Sequence, residues 1–390
     1  LGKEDNVGKV RAGVIGAGFI GPVHIEALQR IGIPVVALCD SNPARAEEIA
    51  AHWNIPTIYS GDDYEKMIQS DEVDVVHIAS PNRMHFDMAR AALAAGKHCI
   101  CEKPLAMDSG ESRLLADLSR GSDTVFAVNY NVRFYPALLQ MRAMVQRGDL
   151  GQIIHVNGSY MQDWLLLKTD YNWRLLPGEG GKLRAVADIG THWMDAVSFI
   201  LGSPVHSVLG LLETFHKKRL RPLGEIQTFS DSGGESQEFA EYLVQTEDFA
   251  SVLLRFGNGV LGNLAVSQVA AGRKNCIRIE MYGSEQSAWW NSEEPDYLHI
   301  GHRDGGNITS FRASSGFQQD IQGFTDYPAG HVEGFPDTFK MFARAVYSDI
   351  KEGPSERPLY ATAFCGHWEV CVCEAILASQ QKRSWVDVVG

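Results

Sequence analysis

The segment VRAGVIGAGFIG constrains this chain more than any other stretch of it. A short apolar run ending at Ile15 passes into Gly16-Ala17-Gly18-Phe19-Ile20-Gly21, after which Ile20, Val23, Ala27 and Ile31 recur at helical spacing. A strand that turns into a helix through three glycines is the opening of a βαβ unit. Gly16 permits the tight turn, Gly18 lets backbone amides approach an anion, and Gly21 lets helix and strand pack closely. The unpaired N–H groups at the helix start then face that anion.

The next strand, PVVALCD, ends in Asp40, 19 positions beyond Gly21. At that place a carboxylate accepts hydrogen bonds from the ribose 2′- and 3′-hydroxyls of NAD and repels a 2′-phosphate. The pattern predicts a dinucleotide site for NAD, with Gly16, Gly18, Phe19, Ile20, Asp40 and Ser41 as cofactor positions. Arg45 is close enough in sequence to approach a phosphate, although with Glu47 and Glu48 it also begins a solvated helical face.

Three further β-branched runs, VDVVHIAS, HCICE and TVFAVNY, alternate with helical stretches, as in a parallel sheet. Ligands of such sheets lie beyond the carboxyl ends of the strands. Ser80 and Asn82 follow the strand VDVVHIAS, with His85 at the start of the next helix, and all three are expected on the cofactor side. HCICE ends in Glu102-Lys103-Pro104, where proline stops the ladder and Lys103 is left at the rim of the crevice.

After Tyr130 the pattern changes: a helix near 135–147, a strand at IIHVNGSYMQ, a helix from about 188 to 201, then long strands with few helices. EYLVQTED, SVLLRFG, GVLGNLAVSQV and IRIEMYG succeed one another across short turns, as hairpin-connected antiparallel strands do. Two closing helices are expected near 333–351 and 359–379, and long loops at 222–238 and 303–332. The fold class predicted is α/β plus α+β, with a Rossmann domain over 9–130 and an α+β domain with an open, largely antiparallel sheet over 131–390.

Asp188 and His192, in VADIGTHWMD, stand at i and i+4, so on a helix they share one face. Imidazole suits proton exchange near neutral pH, and a carboxylate beside it fixes its tautomer. Tyr160, Gln162 and Asp163 close the strand IIHVNGSYMQ, and an aromatic beside amide and carboxylate groups suits a sugar face and its hydroxyls. His331, in the loop YPAGH, is a comparable candidate.

At 390 residues the chain is long enough for two cores, and 48 acidic against 35 basic side chains leave a net charge of -13. That charge opposes binding to nucleic acid or anionic lipid. No apolar run reaches membrane-spanning length and the start, LGKEDNV, is polar, so a cytoplasmic protein is expected. Cys39, Cys99 and Cys101 lie in strand-like runs and are expected as buried, reduced thiols. Cys365, His367, Cys371 and Cys373 crowd together, but helical spacing turns i and i+2 apart, and no metal is expected.

GAGFIG, Asp40, SPNRMH, CEKPLA, NYNVRF and GTHWMD together resemble the Gfo/Idh/MocA family, named for glucose–fructose oxidoreductase, inositol dehydrogenase and a rhizopine catabolism protein. The resemblance implies oxidation or reduction of one carbinol of a sugar, glycoside or cyclitol with NAD, and a dimer or tetramer built through the open sheet. It implies Lys103, Asp188 and His192 as catalytic residues, all three also contacting substrate and Lys103 lying on the nicotinamide side as well. Glu102 and Asn131 are similar to cofactor-neighbouring positions, and Trp173-Arg174 to an element beside nicotinamide and substrate. It also leaves an alternative, a glycosidase that oxidises its sugar transiently at C3 and returns the hydride without net release of NADH.

Overall fold

The computed structural model describes residues 10–223, 239–312 and 317–390. The LGKEDNV start and most of the expected 222–238 loop lie outside the described residues. The chain divides into two compact units: the first holds described residues up to Ala106, Gly110–Asn129 and Phe339–Gly366, the second Met107–Ser109, those within Tyr130–Thr338, and His367–Gly390.

In the first unit, β1 (Ala12–Ile15), β2 (Val35–Asp40), β3 (Thr57–Ser60), β4 (Val75–Ile78), β5 (His98–Cys101) and β6 (Phe126–Val128) form a parallel sheet in the order β3-β2-β1-β4-β5-β6. β1 and β4 are buried throughout, which is why they read as near-continuous apolar runs, broken in β4 by His77, and not as alternation. β3 is a mostly exposed edge strand with no apolar run to reveal it. The chain reverses direction across the sheet between β1 and β4, the switch point at which such sheets bind ligands.

The same unit takes in Phe339–Gly366, far in sequence from the Tyr130 boundary. A two-residue strand, Ala361–Thr362, pairs antiparallel with β6. A Cβ at Gly366 would stand 2.8 Å from Val128 Cγ2, so glycine lets that return segment press onto the sheet.

The second unit is built on β7 (Ile153–Met161), β8 (Val205–Glu213), β11 (Phe249–Phe256), β12 (Leu261–Ser267), β13 (Cys276–Gly283), β14 (Gln286–Asn291), β15 (Tyr297–His302) and β16 (Ile308–Phe311). They run in the order β16-β15-β14-β13-β7-β12-β11-β8, with Val386–Asp387 added beside β8, and only the β7–β12 pair is parallel. A separate hairpin joins β9 (Lys218–Pro222) to β10 (Phe239–Leu243). One face of the large sheet buries Val156, Leu264, Ile279 and Trp290 against the helices Pro136–Arg147 and Thr191–Leu201. The first of these helices starts on Pro136 and stops at Gly148, in the left-handed region at φ 80°.

Two expectations need correction. The stretch expected as one helix from about 188 is a π-turn, Val186–Gly190, followed by an α-helix from Thr191, so Asp188 and His192 sit in different kinds of turn. The 303–332 stretch is not all loop: it carries β16, a short, mostly exposed edge strand with too few apolar residues to form a run, and a turn of helix at Gln319–Gln322. Among the described residues, no helix is long and apolar enough to cross a membrane.

Candidate active site

The candidate residues form two sets, one in each unit. In the first unit the turn after β1 is closed beneath and open above. A Cβ on Gly16, which has φ +105°, would lie 2.5 Å from the Ala79 carbonyl oxygen, and one on Gly21 would lie 1.9 Å from that of Gly16. A Cβ on Gly18 would meet nothing within 4 Å. That open position, at the start of the helix Ile20–Arg30, fits a pyrophosphate.

Asp40 ends β2, and its carboxylate is already oriented: the Ala17 N–H donates to Oδ2 at 2.6 Å and the Asn42 N–H to Oδ1 at 2.8 Å. Each oxygen keeps a lone pair for a ribose hydroxyl. Asp40→Ala is expected to raise the NAD dissociation constant by about 10- to 100-fold, the worth of one to two charge-assisted hydrogen bonds. A fluorescence titration with NADH measures this, and unchanged affinity would assign the carboxylate to the turn alone. Ser41 is exposed beside it, while Arg45 gives its backbone N–H to the capping Asn42 at 3.2 Å.

Ser80 and Asn82 follow β4, with Ser80 Oγ against Met88 Sδ at 3.4 Å and Asn82 buried. His85 is fully buried, its Nδ1 2.7 Å from the Pro104 carbonyl and its Nε2 2.9 Å from that of Ser80. The ring therefore ties the ends of β4 and β5 together and is not open to a ligand, contrary to its expected place on the cofactor side. Glu102 follows β5, and its Oε2 accepts the Lys103 N–H at 3.3 Å. Burial alone would push the Glu102 carboxyl up, but His24, Lys103 and Asn129 together hold it at about 2.

In the second unit Asp188 is the centre of a bonded set. Arg174 Nε donates to its Oδ1 at 3.0 Å and Gln268 Nε2 to its Oδ2 at 2.8 Å. Arg174 is itself fixed twice: Asn172 Oδ1 accepts from its backbone N–H and its Nη1, and its guanidinium lies 4.3 Å over the Trp173 ring. Trp173 and Arg174 open a 3-10 turn, and a Cβ on Gly180 would come within 2.9 Å of the Arg174 carbonyl. The His192 ring meets Tyr130 edge-on at 5.6 Å and Tyr160 at 6.4 Å.

Asn275 gathers the end of β7, its Oδ1 accepting from Tyr160 Oη at 2.6 Å and from Gln162 Nε2 at 2.8 Å, while Trp164 Nε1 donates to Gln162 Oε1 at 2.8 Å. Asp163 departs from its expected substrate role: its carboxylate takes the Gly272 N–H at 3.0 Å and Lys274 at 2.9 Å, which closes the turn before β13. Asn131 spends its amide donor on Thr338 Oγ1 at 2.7 Å. His331 is exposed, on a loop held from below by buried Arg312, which pairs with Asp296 and Glu333.

Gln268 and Asn275 escape a reading by motif, since neither lies in one and only tertiary packing brings them to Asp188 and Tyr160. Gln268→Leu strips Asp188 Oδ2 of a buried donor, and we expect a loss of about 1–3 kcal/mol of stability together with a roughly tenfold fall in turnover. Thermal unfolding and steady-state kinetics on the same preparation check both. A fall in stability with full turnover would make Gln268 a packing residue only. Among the described residues, no group of three or more His, Cys, Asp or Glu side chains could hold a metal ion.

The first-unit fold with its glycine turn and Asp40 defines a dinucleotide-binding oxidoreductase class, and comparison with known proteins agrees. A model for an oxidoreductase family with an NAD-binding Rossmann fold, GFO/IDH/MocA, matches residues 10–130, and one for the GFO/IDH/MocA C-terminal domain matches residues 138–289. The levoglucosan dehydrogenase of Pseudarthrobacter phenanthrenivorans is 30% identical over 97% of this chain and 98% of its own length. The D-glucoside 3-dehydrogenase of Escherichia coli is 33% identical over 50% of this chain and 55% of its own. A solved structure of levoglucosan dehydrogenase with NADH and L-sorbose superposes with a TM-score of 0.86 at 29% identity, covering 97% of this chain and 99% of that one. The chain belongs to the GFO/IDH/MocA family of NAD-binding oxidoreductases.

Proposed function

We propose that this protein is an NAD-dependent dehydrogenase that moves a hydride between nicotinamide and one hydroxyl-bearing carbon of a sugar, glycoside or cyclitol. The observation that carries the reading is Asp188, held by Arg174 on one oxygen and Gln268 on the other, which fixes the orientation in which the carboxylate meets a substrate hydroxyl. Relatives named for levoglucosan, a D-glucoside and inositol support the substrate class. NAD, held by the turn at Gly16–Gly21 and by Asp40, supplies the hydride acceptor.

The residues of this chain do the rest. His192 accepts the hydroxyl proton, its ring set between Tyr130 and Tyr160, and Asp188 orients the substrate. Lys103 stabilises the charge developing on the reacting oxygen. Tyr160, Gln162 and Trp173 offer aromatic and amide contacts to the sugar, and His331 a further one from its loop. A panel of anhydrosugars, hexoses, inositols and glycosides, read at the NADH absorbance and by product analysis, tests this. NADH accumulating in proportion to a keto product supports it, and glycoside cleavage without NADH would replace it with the transient-oxidation alternative.

Assembly belongs to the same reading. Leu211, Leu253, Leu261, Trp289, His299 and Phe311 project from one face of the large sheet, the Trp289 and His299 rings stacked at 3.5 Å, and four of the six are more than two-fifths exposed. A second copy laid on that face would remove this apolar area from water, giving a dimer or tetramer that light scattering would weigh. The buried thiols Cys39, Cys99 and Cys101 suit a cytoplasmic setting.

A further inference from the structure

Four polar side chains form a row through the interior of the first unit. His24 comes from the helix Ile20–Arg30, His77 from β4, Glu102 from the end of β5 and Tyr347 from the helix Phe335–Glu352, and all are less than a tenth exposed. Tyr347 Oη lies 2.9 Å from His77 Nε2, His77 Nδ1 lies 3.0 Å from His24 Nδ1, and His24 Nε2 lies 3.0 Å from Glu102 Oε1. Asn129 Nδ2 donates to the same Oε1 at 2.5 Å, and Phe339 meets the His24 ring edge-on at 5.4 Å. Other charged or titratable neighbours are Lys103, His85 and Cys101 beside Glu102, and Asp74 acting on Tyr347.

The direction of every proton in this row follows from bookkeeping of donors and acceptors. Ionised Glu102 can only accept, so His24 Nε2 carries a proton. Between two facing Nδ1 atoms one must donate and the other accept. Among the described residues the Tyr347 hydroxyl hydrogen-bonds to His77 alone, and if it accepted there its own proton would be buried without a partner. It therefore donates to His77 Nε2, which leaves the His77 proton on Nδ1, pointing at His24. Burial, reinforced by His24, pushes His77 well below the ordinary imidazole range, in keeping with a ring that holds one proton. All three bonds point toward Glu102.

We propose that Tyr347, His77 and His24 form a one-way hydrogen-bond chain that fixes the Glu102 carboxylate and, through it, the backbone from which Lys103 projects. His24 and Asn129 hold Oε1 while Oε2 takes the Lys103 N–H, so the carboxylate cannot turn without giving up a buried bond. The three act as positioning residues for Lys103, and that part rests on the function proposed above.

Long-range proton–nitrogen correlation spectra of the full-length protein with isotope-labelled histidine read the tautomers, with His24→Asn and His77→Asn variants for assignment. His24 protonated at Nε2 and His77 at Nδ1 is the expected result. The reverse pair, His24 at Nδ1 with His77 at Nε2, would overturn the chain. Tyr347→Phe keeps the buried ring and removes the first donor: kcat should fall several-fold at unchanged KM and NAD affinity, and an unchanged kcat would overturn the link to Lys103. The tautomers are read without substrate, so failure of every sugar to react would count against the proposed function and leave the chain to be decided by the spectra.

Discussion

Lys103→Met should lower hydride transfer by about 10²- to 10³-fold, the usual cost of removing one preorganised group that meets developing charge on oxygen. Methionine keeps the unbranched stem and discards the ammonium, and the Lys103 N–H that bonds Glu102 is retained because it belongs to the backbone. NAD affinity should change little, since the glycine turn and Asp40 lie at the ends of other strands. His192→Ala should cost about 10²- to 10⁴-fold, the range for a positioned proton acceptor. Single-turnover reduction of NAD at saturating sugar measures both. Hydride transfer near the wild-type rate in either variant would remove that residue from the chemistry, whatever happened to KM.

How much of this was legible in the sequence depends on how local the cause is. The strand–glycine–helix opening and Asp40 are set by neighbours in the chain, since a turn, a close approach and a strand end need only a few consecutive residues. Parallel strands buried on both faces announce themselves as apolar runs, which is why β1, β2, β4, β5 and β6 could be read and the edge strand β3 could not. Ala361–Thr362 is too short for any periodicity, and only its pairing with β6 assigns it to the first sheet.

The site divides along the same line. Asp188 and His192 are candidates by their spacing, but the π-turn beneath Asp188 gives no signal in VADIG, because one extra residue in a turn is decided by packing. His85 looked like a cofactor residue from its place after β4, yet tertiary structure buries it with both its nitrogens facing backbone carbonyls. Asp163 looked like a sugar contact, and its carboxylate closes a turn more than 100 residues away in sequence. In each case the residue type was informative about chemistry and silent about which partner would claim it.

Arg184 is the clearest instance of a residue whose importance only packing reveals, and its removal carries the largest expected stability effect. Its guanidinium is fully buried: Nη2 pairs with Asp248, Nη1 donates to Gln268 Oε1 at 3.2 Å and Nε to Thr246 Oγ1 at 3.3 Å. Arg219 reaches the same Asp248 oxygen at 2.8 Å. Breaking one arm of a buried charge group costs about 3–5 kcal/mol, and because Asp248 keeps Arg219 the lower end is expected for Arg184→Met. For a unit of this size that is a fall in Tm on the order of 10 °C.

A second effect should follow from geometry and not from stability. An arginine can only donate, so it dictates that Gln268 present its oxygen to Arg184 and its NH₂ to Asp188. Without Arg184 the amide loses the donor that anchors its oxygen, so the NH₂ it presents to Asp188 is held from one side only. Turnover measured well below the lowered Tm should therefore drop about tenfold, in step with Gln268→Leu, and the double variant should add little to either single change. Additive losses in the double variant would mean that Arg184 and Gln268 act on Asp188 by separate routes.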